Sequence, residues 1–180
     1  MATQTTVFTT KFCALALFLA AGCSSSSATK DGGADILTAK TVVINEMFPH
    51  GDKMGDPDWV ELKNLTVADV DLTGFQVRDE KLADLQYIPP LTIIPAGGYL
   101  IINCIGTPDA GVPVGLTGVV VPFKLSGSAG DEFHLVGVDG MDVDSTVYGT
   151  DVPKDKSWGR LPDGTGMFIR TSPTKGLPNI

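Results

Sequence analysis

The sequence predicts an all-β fold, a sandwich or a barrel built from short strands. Its 21 glycines and 12 prolines among 180 residues favour tight turns over long helices. Between these turn residues lie nine short runs rich in Val, Ile and aromatic residues, and none has the periodicity of an amphipathic helix. Short strands at this spacing are typical of sandwiches and barrels.

The nine predicted strands follow one another from residue 42 onward. In order, they span residues 42–47, 59–65, 75–79, 85–88, 98–104, 119–125, 132–138, 143–149 and 167–170. In the run 119–125 the odd-numbered residues are all apolar, which predicts that they share one buried face. Asp139-Gly140 and Asp163-Gly164 are predicted to form tight turns between neighbouring strands.

Alternation also predicts which side chains leave the core. In the second run, Val60 and Leu62 are expected to face inward, while Glu61 and Lys63 face solvent. His134 alternates with apolar neighbours, so its expected place is likewise the surface.

The N-terminus reads as a secretory signal. Residues 12–21 form a ten-residue apolar run preceded by Lys11, which is too short to span a bilayer core of ~30 Å. The run ends in LAAG directly before Cys23, and this junction resembles the lipobox of bacterial lipoproteins. The resemblance implies cleavage after residue 22 and lipidation of Cys23. An ordinary cleaved signal with an incidental Cys23 is the alternative interpretation.

The mature chain divides into a tether and one domain. Residues 23–40 are small, polar and turn-rich after the cysteine, which predicts a lipidated flexible tether. Residues 41–179 have the length of a single sandwich domain. Ser24 after the lipidated cysteine is compatible with sorting to the outer membrane in bacteria that retain lipoproteins through an Asp at this place. Cys104 lies in an apolar run and is predicted to be a small buried residue.

Charge excludes one class of function. The chain carries 13 Lys and Arg against 21 Asp and Glu, a net charge of -8. Nonspecific binding of nucleic acid depends on the release of counterions by Lys and Arg, so an acidic chain is a poor ligand for it. We therefore expect no nucleic-acid partner.

Several sequence blocks stand in the order of one family's motifs. They are VINE at 43–46, DWVELKN at 58–64, VDLTGF at 70–75, IPAGGY at 94–99, FKL at 123–125, GDEFHL at 130–135, SWGRLPDG at 157–164 and PTKGLPN at 173–179. In this order the chain resembles the lamin tail domain, an Ig-like β-sandwich of nuclear lamins and of many bacterial secreted or anchored proteins. Lys175 departs from the pattern, where the family usually has a second proline.

Some residues of these blocks have a structural explanation. Trp59 and Trp158 are predicted to be packing residues, because a buried indole removes a large apolar area from water. Arg160 is predicted to clamp the last turn through Asp163.

The loop between the first two strands is acidic and is the one candidate metal site. Glu46 ends the first run, the loop carries Asp52 and Asp56, and Asp58 opens the second run. A hairpin of these two strands is expected to return Glu46 close to Asp58. Oxygen ligands in a glycine-bearing loop suit Ca²⁺, which takes ~6 to 8 of them. A solvated loop neutralised by neighbouring lysines is the alternative.

These observations predict a non-catalytic, lipid-anchored lipoprotein of the bacterial cell envelope, at the outer membrane, that requires no cofactor. Its single domain is expected to bind an envelope protein or a polysaccharide through loops or a sheet edge. No pair of base and nucleophile is evident in the sequence, so no enzyme activity is predicted. The alternative is a Ca²⁺-assisted hydrolase or nuclease component built on the acidic loop.

Overall fold

The computed structural model describes residues 41–51, 56–106, 112 and 115–180. The predicted signal peptide, the tether and Cys23 lie outside the described residues, as does Asp52. In the described part of the chain, no helix is both long enough and apolar enough to cross a membrane.

The described residues form an all-β fold, which confirms the predicted fold class. The strands, numbered in chain order, are β1 (Val42–Phe48), β2 (Asp58–Asn64), β3 (Val70–Asp71), β4 (Gln76–Arg78), β5 (Gln86–Tyr87), β6 (Ile93–Ile94), β7 (Tyr99–Cys104), β8 (Val119–Val121), β9 (Asp131–Val136), β10 (Asp142–Tyr148), β11 (Ser157–Leu161) and β12 (Met167–Thr171). A short 3-10 helix, Leu82–Asp84, precedes β5. All nine predicted runs contain a strand, and the sequence did not reveal β3, β6 or β11.

Two sheets face each other across the core. The six-stranded sheet has the order β12-β11-β1-β2-β7-β8, and the four-stranded sheet has the order β10-β9-β4-β5. Strands β3 and β6 pair separately. All contacts between neighbouring strands are antiparallel except β7 with β8. The result is a sandwich of the kind that the Ig-like resemblance implies.

The core is built from the alternating residues of both sheets. The six-stranded sheet contributes Ile44, Met47 and Leu62, and the four-stranded sheet contributes Phe133 and Leu135, all fully buried. The odd-numbered residues of 119–125 are also buried, as their alternation predicts. Each large apolar side chain buried in this way stabilises the fold by about 1.5 to 3 kcal/mol.

The predicted turns form as expected. Gly140 connects β9 to β10 with φ of 79°, and Gly164 connects β11 to β12 with φ of 71°. Both values lie in the left-handed region, which glycine enters without a steric penalty. The peptide bond between Leu161 and Pro162, at the start of the second turn, is cis.

Three predictions about exposure are wrong. Alternation predicts that Lys63 and Glu61 face solvent, but only 14% of the Lys63 side chain is exposed, and Glu61 is fully buried. Residues 172–180, here called the C-terminal segment, lie over it, and the backbone N–H of Gly176 donates to its carboxylate at 2.6 Å. Alternation along a strand cannot reveal such a cover, because the covering residues are remote in sequence.

His134 is the third wrong prediction of exposure. Only 12% of its side chain is exposed. Its Nδ1 lies 2.8 Å from a carboxylate oxygen of Asp142, and its Nε2 lies 3.2 Å from one of Glu132. Arg78 of β4 also contacts the ring, with its Nη2 2.9 Å from Nδ1, so side chains of β4, β9 and β10 together cover the imidazole.

Candidate functional site

Two glutamates lie side by side on the outer face of the six-stranded sheet, the face turned away from the four-stranded sheet. The register of β1 and β2 places Glu46 directly opposite Glu61, and both residues are fully buried. A bulge at Asn45 produces this register, because the extra residue shifts Glu46 onto the face that Glu61 occupies. Like charges at opposed positions destabilise a sheet unless polar partners compensate them.

Hydrogen bonds from the last strands and the C-terminal segment surround Glu46. Ser157 Oγ donates to its carboxylate, and Thr171 Oγ1 lies 2.9 Å from that hydroxyl. Thr174 donates to Oε2 from its backbone N at 3.1 Å and from its hydroxyl at 2.8 Å. Burial raises the pKa of Glu46 above its ordinary value, and the hydrogen bonds from Ser157 and Thr174 offset only part of that effect.

Glu61 is held between β1 and the C-terminal segment. Asn45 Nδ2 donates to its Oε1 at 2.8 Å, and the backbone N of Gly176 donates to its Oε2. The pKa of Glu61 is raised to about 7, mainly by burial; the two hydrogen bonds offset part of this effect, and the charges of Glu46 and Asp163 add to it.

A third carboxylate, Asp163, accepts four hydrogen bonds at the turn between β11 and β12. Its Oδ2 accepts from Lys63 Nζ and Tyr99 OH, both at 2.8 Å. Its Oδ1 accepts from Asn45 Nδ2 at 2.9 Å and from the backbone N of Asn179 at 3.0 Å. Burial alone would raise the pKa of Asp163, but these hydrogen bonds, led by that from Lys63, hold it below its ordinary value.

These three carboxylates and their donors form one continuous set of contacts, here called the outer-face network. Its members are Asn45, Glu46, Glu61, Lys63, Tyr99, Ser157, Thr171, Asp163, Thr174, Gly176 and Asn179. Asn45 connects Glu61 to Asp163, since its Nδ2 donates to both. The C-terminal segment covers the two glutamates, so a substrate has no direct approach to them. The network ties that segment to the sheet.

With this geometry established, comparison with known protein families is informative. The family model described as Lamin Tail Domain matches residues 37–150, well over half of the chain. The chain belongs to the lamin tail domain family. No curated protein matches it.

The fold of this lamin tail domain continues beyond the matched residues. Strands β11 and β12 follow residue 150, and β11 pairs with β1 in the middle of the six-stranded sheet. Asn179 lies against this pair, and its Nδ2 donates to the backbone oxygens of Asn45 at 3.1 Å and Arg160 at 3.0 Å. The last 30 residues are therefore part of the same sandwich.

The blocks that carry the family resemblance supply most of the outer-face network. The first block provides Asn45 and Glu46, the second Glu61 and Lys63, and the later ones Tyr99, Ser157, Asp163, Thr174 and Asn179. Sequence reasoning placed only Glu46 in a site. The order of the blocks was a signal that they act together, but their spacing did not say which side chains meet.

The residues predicted to bind a metal do not converge in the described part of the domain. Glu46 lies opposite Glu61 and not near Asp58, so the expected return of Glu46 to Asp58 is wrong. The carboxylate of Asp58 accepts from the backbone N atoms of Gly51 at 3.0 Å and Leu125 at 3.2 Å. Asp56 is exposed. Among the described residues, no group of three or more His, Cys, Asp or Glu is placed to hold a metal ion. A site that includes Asp52 stays a prediction.

Arg160 is a structural clamp, as predicted, but its acidic partner is not the predicted one. Its Nη2 donates to Asp144 of β10 at 3.0 Å, and its Nε donates to the backbone oxygen of Ile44 at 2.8 Å. Strand alternation explains the difference, because Arg160 shares a face with Phe168, whereas Asp163 reaches Lys63 on the opposite face. A groove of about 430 Å³ borders the Arg160–Asp144 pair.

Cys104 is buried and free, as predicted. Burial raises the pKa of its thiol well above the ordinary value, and nearby carboxylates raise it further. A thiol in such surroundings is a packing residue and is inert as a nucleophile.

The raised pKa of Glu61 predicts how stability depends on pH. Unfolded Glu61 loses its proton near the ordinary glutamate pKa of 4.5, whereas burial raises the pKa of the folded residue to about 7. Glu61 therefore contributes fully to the free energy of unfolding below about pH 4.5. This contribution is lost as the pH rises through about 7, and the difference is on the order of 3 kcal/mol. We expect Glu61→Gln to flatten the fall in the free energy of unfolding over this range, as measured by urea denaturation.

The dependence of the free energy of unfolding on pH is the decisive quantity, because the amide of Glu61→Gln keeps only one acceptor oxygen and therefore also changes stability in a way that does not depend on pH. If the free energy of unfolding of Glu61→Gln fell with pH as steeply as that of the unmodified protein, the raised pKa of Glu61 would be contradicted.

Proposed function

We propose that this lamin tail domain is a non-catalytic binding module held at the bacterial cell envelope by a lipid on Cys23. The observation that carries the proposal is the outer-face network. Glu46, Glu61 and Asp163, all from the family blocks, accept hydrogen bonds from the C-terminal segment, and the two glutamates are covered by it. Such residues stabilise a scaffold, and the exposed loops and edges of the scaffold are then free to bind.

The histidines support the same interpretation. His50 Nε2 lies 2.7 Å from the backbone oxygen of Val152, and His134 lies between two carboxylates. In the described residues, neither histidine has a serine, threonine or cysteine among its hydrogen-bond partners. Activation of a hydroxyl or thiol nucleophile by histidine depends on such a pair.

The anchor is tested by a single substitution. We expect Cys23→Ser to leave the protein unprocessed or soluble, because serine cannot form the thioether with the diacylglycerol. Fractionation of the envelope, with the mass of the mature N-terminus, measures this outcome. Ser24→Ala, which leaves the cysteine in place, is the matched control and is expected to stay with the membrane. An unchanged membrane fraction for Cys23→Ser would refute the anchor.

Absence of catalysis is tested with a panel of phosphodiester and glycoside substrates in the presence of Ca²⁺ or Mg²⁺. We expect no turnover above the buffer control. Metal-dependent turnover that Asp56→Asn abolishes would favour the alternative, a Ca²⁺-assisted hydrolase. Asp56 is suited to this test because it is exposed, whereas Asp58 supports the backbone and its loss would disturb folding.

Calcium binding by the acidic loop is tested separately by calorimetric titration. A saturable heat that Asp56→Asn weakens, together with a Ca²⁺-dependent rise in Tm, would support the site. Neither signal is expected if Lys175, whose Nζ lies 3.8 Å from Asp56, and other lysines neutralise the loop.

A further inference from the structure

The edge strands of the two sheets differ in how well they are protected against pairing with a strand of another chain. In the described residues, β8 has three residues and β5 has two, which is too short to guide a further strand. Strand β10 has seven residues, but its register shifts between Asp142 and Asp144. The carboxylate of Asp144 also accepts from the backbone N of Ile44 at 2.9 Å. Short length, bulges and charges facing inward are the usual protections of an edge.

Strand β12 has none of these protections. It pairs with β11 over all five residues without a register shift and contains no proline, and its single charged residue, Arg170, is exposed and does not face inward. Met167 and Ile169 lie on one face and are 80% and 41% exposed. Leu161 of β11 stands opposite Met167 and is 39% exposed, so apolar surface continues onto the next strand. A regular, apolar edge of this kind is a template for another strand.

The charge around this edge is opposite to the charge of the rest of the chain. Residues 154–175 carry five Lys and Arg against two Asp, within a chain of net charge -8. Arg160 is paired with Asp144 and Lys175 lies 3.8 Å from Asp56, so the positive charge at the edge comes from Lys154, Lys156 and Arg170. Arg170 of β12 and Lys154 are exposed, and Lys156 Nζ lies 3.3 Å from Ser172 Oγ, just beyond the strand. Two copies that paired through β12 would bring like charges together, whereas an acidic strand would be attracted.

We propose that β12 binds an extended acidic segment of a partner protein by strand addition. Backbone hydrogen bonds to Met167–Thr171 supply affinity, as they do in other complexes of this kind. Alternate aliphatic side chains of the partner pack on Met167 and Ile169, and the carboxylates between them face Arg170. This inference rests on the proposed binding function and names the surface that performs it.

The test uses the full-length chain and a soluble, capped peptide of alternating valine and glutamate as the probe. We expect the probe to slow hydrogen–deuterium exchange of the outward-facing amides in Met167–Thr171 by about tenfold, because the N–H groups of β12 that do not point toward β11 gain acceptors. A peptide of alternating valine and lysine is the matched control and is expected to have no effect.

Two variants separate the apolar and the electrostatic parts of the contact. Ile169→Lys places a charge on the apolar face, and we expect it to weaken binding of the valine–glutamate probe about tenfold. Arg170→Glu is expected to reverse the preference, so that the valine–lysine peptide binds instead. Val147→Lys, a similar change at a 63% exposed position of β10, is expected to leave binding unchanged.

The proposal would be overturned by any of three results. The first is no protection of β12 by the probe, and the second is protection at β10 or β5 instead. The third is protection of β12 by a second copy of the chain or by phosphatidylglycerol vesicles in place of the peptide. Membrane fractionation and the substrate panel test the proposed function without involving β12, so the two can fail separately.

Discussion

Replacing Asp163 with alanine is expected to lower the free energy of unfolding by about 3 kcal/mol, since a partly buried, hydrogen-bonded charge pair is broken. The substitution removes the acceptor of four donors at once. It also leaves the ammonium of Lys63, whose side chain is only 14% exposed, without its counter-charge. Urea denaturation at neutral pH measures the loss.

Asp155→Ala is the matched control for this prediction. Its side chain is 79% exposed, and its oxygen lies 3.9 Å from Lys156 Nζ, so we expect a loss below about 0.5 kcal/mol. For Asp163→Asn we expect a loss of stability between those of Asp155→Ala and Asp163→Ala, because the amide keeps one acceptor oxygen and loses the charge. If Asp163→Ala cost no more than Asp155→Ala, the outer-face network would not stabilise the domain.

A chain that ends at residue 150, where the family match ends, is expected not to fold. The truncation removes β11 and β12, turns β1 from an interior strand into an edge, and takes away Trp158 and Phe168, which pack against the core. It also removes Ser157, Thr174 and Gly176, so Glu46 and Glu61 lose donors and face each other. The combined loss exceeds the usual stability of a domain, about 5 to 15 kcal/mol.

Circular dichroism and urea denaturation measure this effect, and the full-length chain is the control. We expect a cooperative transition for the full chain and none for the truncated one. A cooperative transition at the same midpoint in both would contradict the role assigned to residues 151–180.

Local patterns predicted most of the strands, because the signals for a strand and a turn lie within a few residues. The alternation of residues 119–125 and the turn at Gly140 are examples. The pattern failed for β3 and β6, since two-residue strands leave no alternation to detect. The local pattern also missed β11, because Gly159 lowers the strand propensity of this run. In the folded domain the side chain of Asn179 packs over Gly159, a contact that the local pattern does not contain.

The candidate site was predicted less well than the fold. Glu46 was singled out, but the expected return to Asp58 ignored the bulge at Asn45, which no short pattern announces. Arg160 was expected to find Asp163 because the two are close in sequence. Its partner Asp144 belongs to another strand, β10. Arg160 contacts Asp144 because it lies on the face of β11 opposite to the one where Asp163 contacts Lys63.

The sequence by itself determined the all-β class, nine of the twelve described strands and the family resemblance, because these depend on residues that are neighbours in the chain; the lipidation of Cys23 stays a prediction. Only the tertiary structure decided that Glu61 is buried, since the Gly176 N–H that contacts it lies 115 residues away. The same holds for the exposed edge of β12. Burial and exposure depend on which remote segments cover a face, and that is a property of the assembled sandwich.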